Sequence, residues 1–126
     1  MDVEPVNGQR RTAGAGAPEG EPRSLTLDEH RYLVRLLERV GDDDRVRGLT
    51  SAKVGPLSDG GMGSLRFASM RPSRRRASRV VTDEFIDTDG VPVSVELTAD
   101  QFGDLYELDS FKADFTAVRS WPTLRM

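Results

Sequence analysis

The chain has 126 residues, 37% of them hydrophobic, and a formal net charge of −3. This length corresponds to one domain, and the absence of cysteine excludes disulfide bonds, thiolate metal sites and a cysteine nucleophile. We see neither a secretory signal nor the run of roughly 18 apolar residues that a membrane helix needs, so we expect a cytoplasmic protein.

Charge is distributed unevenly along the chain. Residues 1–81 contain four more basic than acidic side chains, whereas residues 82–126 contain seven more acidic than basic ones. Such asymmetry favours an electrostatic surface for a partner, unless folding interleaves the two halves and cancels it.

Residues 1–24 are rich in Gly, Ala, Pro, Glu and Arg and contain few large apolar side chains. Burial of so little apolar area cannot offset the backbone entropy of folding. We therefore predict a disordered tail over residues 1–24 and a single domain over residues 25–126.

The domain is predicted to begin with an amphipathic helix. Thr26 and Glu29 have the spacing of a capping box, and Gly41 suits the residue that ends a helix. After it, Asp42, Asp43 and Asp44 are predicted to open a solvated loop. The apolar stripe consists of Leu33, Leu36, Leu37 and Val40.

Beyond the helix, apolar residues alternate with polar ones, which is typical of strands. We predict strands over 49–54, 64–70, 77–86 and 91–97 and in a last region after 104. Pro92 predicts an edge strand or a bulge. In the last region, Tyr106 and Leu108 alternate out of phase with Phe111 and Phe115, so a bend is predicted near 109–110. Phe111, Phe115 and Trp121 are predicted to be core residues.

One helix followed by about five strands predicts an α+β fold. We expect the N-terminal amphipathic helix to pack on one face of a mostly antiparallel sheet.

The glycine-rich turn formed by Asp59, Gly60, Gly61, Met62 and Gly63 is the leading candidate for a functional position, because it has more glycines than a hairpin requires. A Walker loop would need a lysine at its end, followed by a helix. The turn at 87–90 lacks the spacing of an EF-hand loop and predicts a hairpin.

Two polar patches are further candidates. Arg71, Arg74, Arg75, Arg76 and Arg79 form a basic patch, and we select Arg74, Arg75 and Arg76 as binding candidates. The second patch is Tyr106, Glu107, Asp109 and Lys112, beside the C-terminal aromatic residues.

The sequences Asp-Gly-Gly-Met-Gly-Ser-Leu at 59–65, Asp-Thr-Asp-Gly-Val at 87–91 and Glu-Leu-Asp-Ser-Phe-Lys-Ala-Asp-Phe at 107–115 form a pattern. The chain over residues 25–122 resembles a family of small bacterial domains of unknown function. The resemblance implies a self-contained domain and supplies no catalytic residues.

These features favour a small, non-enzymatic, intracellular protein-binding module, and a toxin-neutralising protein is one concrete version. One alternative is a metal- or carboxylate-dependent enzyme with a site near Gly60–Gly63 and Asp83–Asp89. Another is nucleic-acid binding through the Arg71–Arg79 loop, which the acidic net charge disfavours. We expect no cofactor, no metal and no membrane contact, and a protein partner; the sequence leaves the oligomeric state open.

Overall fold

The computed structural model describes residues 21–57 and 62–122. Within these two ranges the chain forms two α-helices, one turn of 3-10 helix and six strands. In chain order they are β1 (Arg23–Ser24), α1 (Leu27–Arg39), α2 (Asp43–Gly48), the 3-10 turn (Leu49–Ser51), β2 (Lys53–Pro56), β3 (Leu65–Phe67), β4 (Arg76–Ile86), β5 (Pro92–Asp100) and β6 (Leu105–Lys112).

The strands of the described residues pair antiparallel in one sheet, in the spatial order β1-β2-β3-β6-β5-β4. The predicted α+β class with an antiparallel sheet is confirmed. The described residues contain one strand more than the five predicted, because Arg23 and Ser24, at the end of the predicted tail, pair with β2. Most of that tail, residues 1–20, lies outside the described residues.

Helix α1 begins with a capping box. The Glu29 N–H donates to Thr26 Oγ1 over 3.1 Å, and the Thr26 N–H donates to Glu29 Oε1 over 2.9 Å. Past the end of the helix, Gly41 adopts a φ of +72°, a left-handed conformation that glycine tolerates best. The apolar residues on the buried side of the helix are Tyr32, Leu33, Leu36 and Leu37.

The acidic run after Gly41 forms a helix where a solvated loop was predicted. Asp42 caps α2, and its carboxylate accepts a hydrogen bond from the Arg45 N–H over 3.3 Å. Asp43 and Asp44 follow in the first turn, where the helix dipole favours negative charge. A helix of six residues is too short to show a periodic apolar pattern, and this is why the sequence did not reveal it.

The strand predicted over 49–54 is wrong in its first half. Leu49–Ser51 is a 3-10 turn closed by a hydrogen bond from the Ala52 N–H to the Leu49 carbonyl, and β2 begins only at Lys53. Leu49 is buried in the core, so this segment needs an apolar residue for a reason other than strand pairing. A short apolar pattern does not distinguish a strand from a buried helical turn.

The sheet face that contacts α1 is called the inner face, and the opposite face is called the outer face. The C-terminal segment 116–122 also lies against the inner face, where Trp121 stacks on Tyr32 with ring centroids 5.0 Å apart. Helix α1 and this segment together cover the core. The buried strand residues in it are Val54, Leu65, Phe67, Val81, Phe85, Val93, Val95, Leu97 and Leu108.

Strand β6 does not contain the predicted bend. Its pairing with β5 is continuous from Asp109 to Lys112, and Ser110 and Lys112 are both buried on the inner face. The prediction placed Phe111 and Phe115 in the core, but they are 50% and 65% exposed. Because the inner face accepts two polar side chains, the aromatic residue between them points outward.

Strand β5 is an interior strand, although Pro92 predicted an edge strand or a bulge. It lies between β4 and β6. Pro92 is its first residue, and its carbonyl accepts a hydrogen bond from the Ala113 N–H over 3.0 Å. A proline at the first position of a strand is tolerated in a sheet.

Candidate functional site

The outer face of β4, β5 and β6 is not covered by any helix or strand of the described residues. Successive strand residues point to opposite faces, so the residues between the core positions point away from α1. Two cross-strand rows define this surface: Glu84, Ser94 and Phe111; and the central row, Thr82, Glu96 and Asp109. Beyond the central row, Arg79 pairs with Thr98 of β5, and Glu107 pairs with Arg66 of β3.

Glu96 is the most strongly paired carboxylate of the outer face. Its Oε2 accepts hydrogen bonds of 2.7 Å each from a terminal nitrogen of Arg76 and from Nε of Arg79. On the neighbouring strands, Arg66 pairs with Glu107. Two arginines therefore share one carboxylate at the β4 side, which leaves positive charge in excess there.

Asp109 lies directly across from Glu96 and has no ion pair within the described residues. Burial raises the pKa of Asp109, and the nearby Glu107 and Glu96 carboxylates raise it further. Arg66 and Arg76 act in the opposite direction, and the resulting pKa is about 6. Asp109 is therefore mostly ionised at pH 7, although its burial and the two neighbouring carboxylates disfavour the ionised form.

The end of the outer face near the 87–90 turn is apolar. Ile86, Phe111 and Phe115 are 53%, 50% and 65% exposed. The rings of Phe111 and Phe115 contact each other edge to face, with centroids 5.4 Å apart. Glu84 lies in the same row as Phe111 and is exposed. Its side chain has no hydrogen-bond or ion-pair partner in the described part of the chain.

The outer face contains an open depression of about 770 Å³. The outer-face residues that line it include Thr82, Glu84, Ser94, Glu96, Asp109 and Phe111. The depression therefore combines an aromatic ring, two carboxylates without an ion-pair partner among the described residues, the doubly paired carboxylate of Glu96 and two arginines, Arg39 and Arg79.

Lys112 does not join Glu107 and Asp109, although the sequence placed them in one patch. Its side chain is fully buried on the inner face, where Nζ donates to Asp87 Oδ2 over 2.9 Å and to Asp89 Oδ2 over 2.7 Å. A third hydrogen bond, of 3.1 Å, goes to the Ala117 carbonyl. We call Lys112, Asp87 and Asp89 the lysine clasp.

The lysine clasp also holds the C-terminal segment. The carboxylate of Asp87 accepts hydrogen bonds from the backbone N–H groups of Arg119 and Ser120, of 2.7 and 3.1 Å. Burial alone would raise the pKa of Asp87, but the hydrogen bonds from Arg119 and Lys112 outweigh it and lower the pKa to about 2. The carboxylates of the 87–90 turn thus bind an ammonium group of the protein itself.

The predicted basic patch is divided between the interior and the surface. Arg74 is fully buried and donates to Asp100 over 2.6 Å and to the carbonyls of Phe67 and Leu105. Tyr106, the other buried member of the predicted sites, donates from its hydroxyl to the Arg74 carbonyl over 3.4 Å. This leaves Arg74 no surface for contact with phosphate.

The other arginines of the predicted basic patch are exposed. Arg71 pairs with Asp104, and Arg76 and Arg79 pair with Glu96. Arg75 is exposed, and its backbone N–H donates to the side chain of Gln101.

The glycine-rich turn is described only in part, since Asp59, Gly60 and Gly61 lie outside the described residues. The Met62 carbonyl accepts hydrogen bonds from the Ser110 hydroxyl and from the Val118 N–H, both of 3.2 Å. Gly63 has a φ of +105°, a conformation that favours glycine. The described part of the turn therefore joins β6 to the C-terminal segment.

Three of the four carboxylates in the stretch Asp83–Asp89, predicted for a metal or acid–base site, have protein partners within the described residues, and Glu84 is the exception. Asp83 accepts a hydrogen bond of 2.7 Å from the Tyr32 hydroxyl and pairs with Arg39, while Asp87 and Asp89 belong to the lysine clasp. In ranges 21–57 and 62–122, no group of three or more His, Asp or Glu side chains is placed to hold a metal ion.

Sequence reasoning identified Glu107 and Asp109, and Glu84 within the Asp83–Asp89 stretch, but did not bring them together and missed Glu96, which completes the outer face. The available signal was strand register: a hairpin centred on 87–90 places 84 opposite 94 and 82 opposite 96. With that register, the outward positions of β4 and β5 could have been assigned to one surface.

None of the helices in the described residues has the length and apolarity needed to cross a membrane. A family model described as "Domain of unknown function (DUF6984)" matches residues 22–122, which include all the described helices and strands. The comparison with curated proteins and the comparison with solved structures both found no match.

Proposed function

We propose that this chain, which belongs to the DUF6984 family of domains of unknown function, is a small non-enzymatic protein-binding module that uses its outer face. The supporting observation is the exposure of Ile86, Phe111 and Phe115 next to Glu84 and Asp109. Contiguous exposed apolar residues bordered by polar ones are typical of protein interaction surfaces.

The charged residues of the outer face are arranged along the strands, and a partner must present charges of opposite sign in the same arrangement. Its aromatic end carries the unpaired carboxylate of Glu84, its central row carries Asp109, and its other end carries Arg76 and Arg79 on a single glutamate. A complementary protein surface presents a basic group to the first end and an acidic group to the second. Such complementarity selects partners and suppresses wrong ones.

The apolar residues supply most of the expected binding energy. Burial of an aromatic ring such as Phe111 removes a large apolar area from water, while charge pairs at the rim of an interface contribute little. We therefore expect Phe111 and Phe115 to contribute more to affinity than Glu84 or Arg79. The charged residues determine which partner fits.

The test is capture of a partner by the immobilised protein, followed by reconstitution of the complex with the purified, identified partner. We expect binding to be lost with Phe111→Arg and weakened with Glu84→Arg. Glu38→Arg is the matched control, because Glu38 is also exposed but lies on α1, away from the outer face.

A partner that binds Phe111→Arg and Glu84→Arg as tightly as the wild type would contradict the use of this face. Failure to form any complex, with a different protein or with a second copy of the chain, would contradict the protein-binding function itself. The toxin-neutralising version predicts in addition that the identified partner is toxic to cells and that the complex suppresses this toxicity.

A further inference from the structure

We propose that a second copy of this chain fits the outer face, so that the protein forms a two-fold dimer through β4, β5 and β6. This inference rests on the proposed function, since it names one partner for the same surface. A two-fold interface brings the same patch of both molecules together, so the patch must complement itself. The outer face meets that condition because its opposite ends carry opposite charge.

The arrangement follows from the positions along β4. Glu84 lies two residues on one side of Thr82, and Arg79 lies three residues on the other side, with a register shift between Arg79 and Val81. At roughly 3.4 Å per residue, the backbones of Glu84 and Arg79 stand about 7 to 10 Å from the central row, and the Arg79 guanidinium reaches back to Glu96 of that row. A two-fold axis along this row, parallel to the sheet, places Glu84 of each copy over Arg79 of the other.

The same operation places the aromatic end over the basic end. Phe111, on β6, comes to lie over the row of the second copy that contains Glu107 and Arg66. The flat face of a phenylalanine ring attracts a guanidinium group. Each half of the interface then contains one exposed ring from one copy and one arginine from the other.

The available area indicates a weak dimer. Three strands spaced about 4.8 Å apart and about eight residues long present roughly 400 Å² of sheet per copy. A standard stable interface buries about 800 Å² per partner. We therefore expect self-association that depends on protein concentration, and displacement of the second copy by any partner with a larger matching surface.

The central row adds a pH dependence. The two-fold axis brings Asp109 of each copy towards the other, and Asp109 already faces Glu96, Glu107, Arg66 and Arg76 of its own molecule. Two ionised aspartates near the axis repel each other. Self-association should therefore weaken as the pH rises through the range in which Asp109 ionises.

Sedimentation equilibrium of the full chain over a hundredfold range of concentration tests this proposal. We expect a monomer–dimer equilibrium that is weakened by Arg79→Glu and by Glu84→Arg. The double variant Arg79→Glu with Glu84→Arg restores the intermolecular pairs with inverted sign and should recover part of the dimer, because Arg79→Glu also removes the pair with Glu96 of the same molecule. Asp109→Asn should strengthen the dimer at pH 7, and Glu38→Arg should leave it unchanged. Circular dichroism verifies that each variant is folded.

A wild-type protein that stays monomeric over the whole range overturns the dimer. So does a dimer that survives both single charge reversals, or one that the double variant fails to restore. The partner-capture experiment then separates the two proposals. A monomer that binds a different protein through Phe111 and Glu84 refutes only the dimer. A dimer without any other partner leaves self-association as the binding activity.

Discussion

The two faces of the sheet each hold a β6 residue that its residue type alone would place on the other face. The inner face contains a fully buried lysine, and the outer face exposes Phe111, its neighbour on β6. The lysine is tolerated because two carboxylates and a carbonyl accept its hydrogen bonds. A charged side chain can be buried where each of its polar groups has a hydrogen-bond partner inside the protein. The hydrogen-bond network, and not hydrophobicity, then determines which residue is buried.

The largest effect should come from removal of the lysine at the inner face. Lys112→Met leaves the buried carboxylate of Asp87 without its cation, whereas the exposed Asp89 keeps its ion pair with Arg119. An uncompensated buried charge is strongly destabilising. We expect the melting temperature to fall by roughly 10 °C or more. Differential scanning calorimetry measures it, and a change of less than a few degrees would show that the clasp contributes little.

Acid should act on the same cluster with a smaller effect, because it neutralises one carboxylate and leaves the lysine in place. The folded pKa of Asp87, about 2, lies below its ordinary value, so its ionised form stabilises the fold. This contribution is complete above about pH 4 and is lost as the pH falls towards 2. Urea denaturation of the wild type and of Asp87→Asn measures it, and the wild type should show the steeper loss in this range.

The outer face should respond to pH in the opposite direction. The pKa of Asp109, about 6 in the folded protein, lies above its ordinary value, so ionisation costs stability as the pH rises from about 4 through 6. Asp109→Asn removes this cost and should stabilise the protein at pH 7 by on the order of 1 kcal/mol, after allowance for solvent screening. The gain should vanish near pH 4; an equal gain at both pH values would exclude ionisation as its cause.

The smallest effect on stability is expected from the exposed ring. Phe111→Ser removes a side chain that is half exposed and contacts Phe115 on the surface. We expect the free energy of unfolding to change by about 0.5 kcal/mol or less. Chemical denaturation in parallel with the Lys112→Met variant tests the comparison directly, and similar losses in the two variants would contradict it.

What could be predicted from the sequence was local. The capping box at Thr26 and Glu29 and the hairpin turn at 87–90 each depend on a few neighbouring residues, and their residue types alone indicate the geometry. Alternation of apolar residues indicated most strands for the same reason. The α+β class followed from these elements.

What could not be predicted depends on residues distant in sequence. Lys112 and its partner Asp87 are 25 positions apart, and Arg74 and Asp100 are 26 apart. A lone charged residue in a strand is usually exposed, so no local rule places Lys112 inside. The patch predicted from Tyr106, Glu107, Asp109 and Lys112 divides between the two faces because alternate strand residues point in opposite directions.

The stacked position of Trp121 gives the protein an optical reporter of its own. It is the single tryptophan of the chain, and it directly follows Arg119 and Ser120, whose amides bind Asp87. Release of the C-terminal segment would move the indole from Tyr32 into water and shift its fluorescence to longer wavelength. Events confined to the outer face leave that ring pair in place, so one emission spectrum distinguishes opening of the clasp from binding on the other side of the sheet.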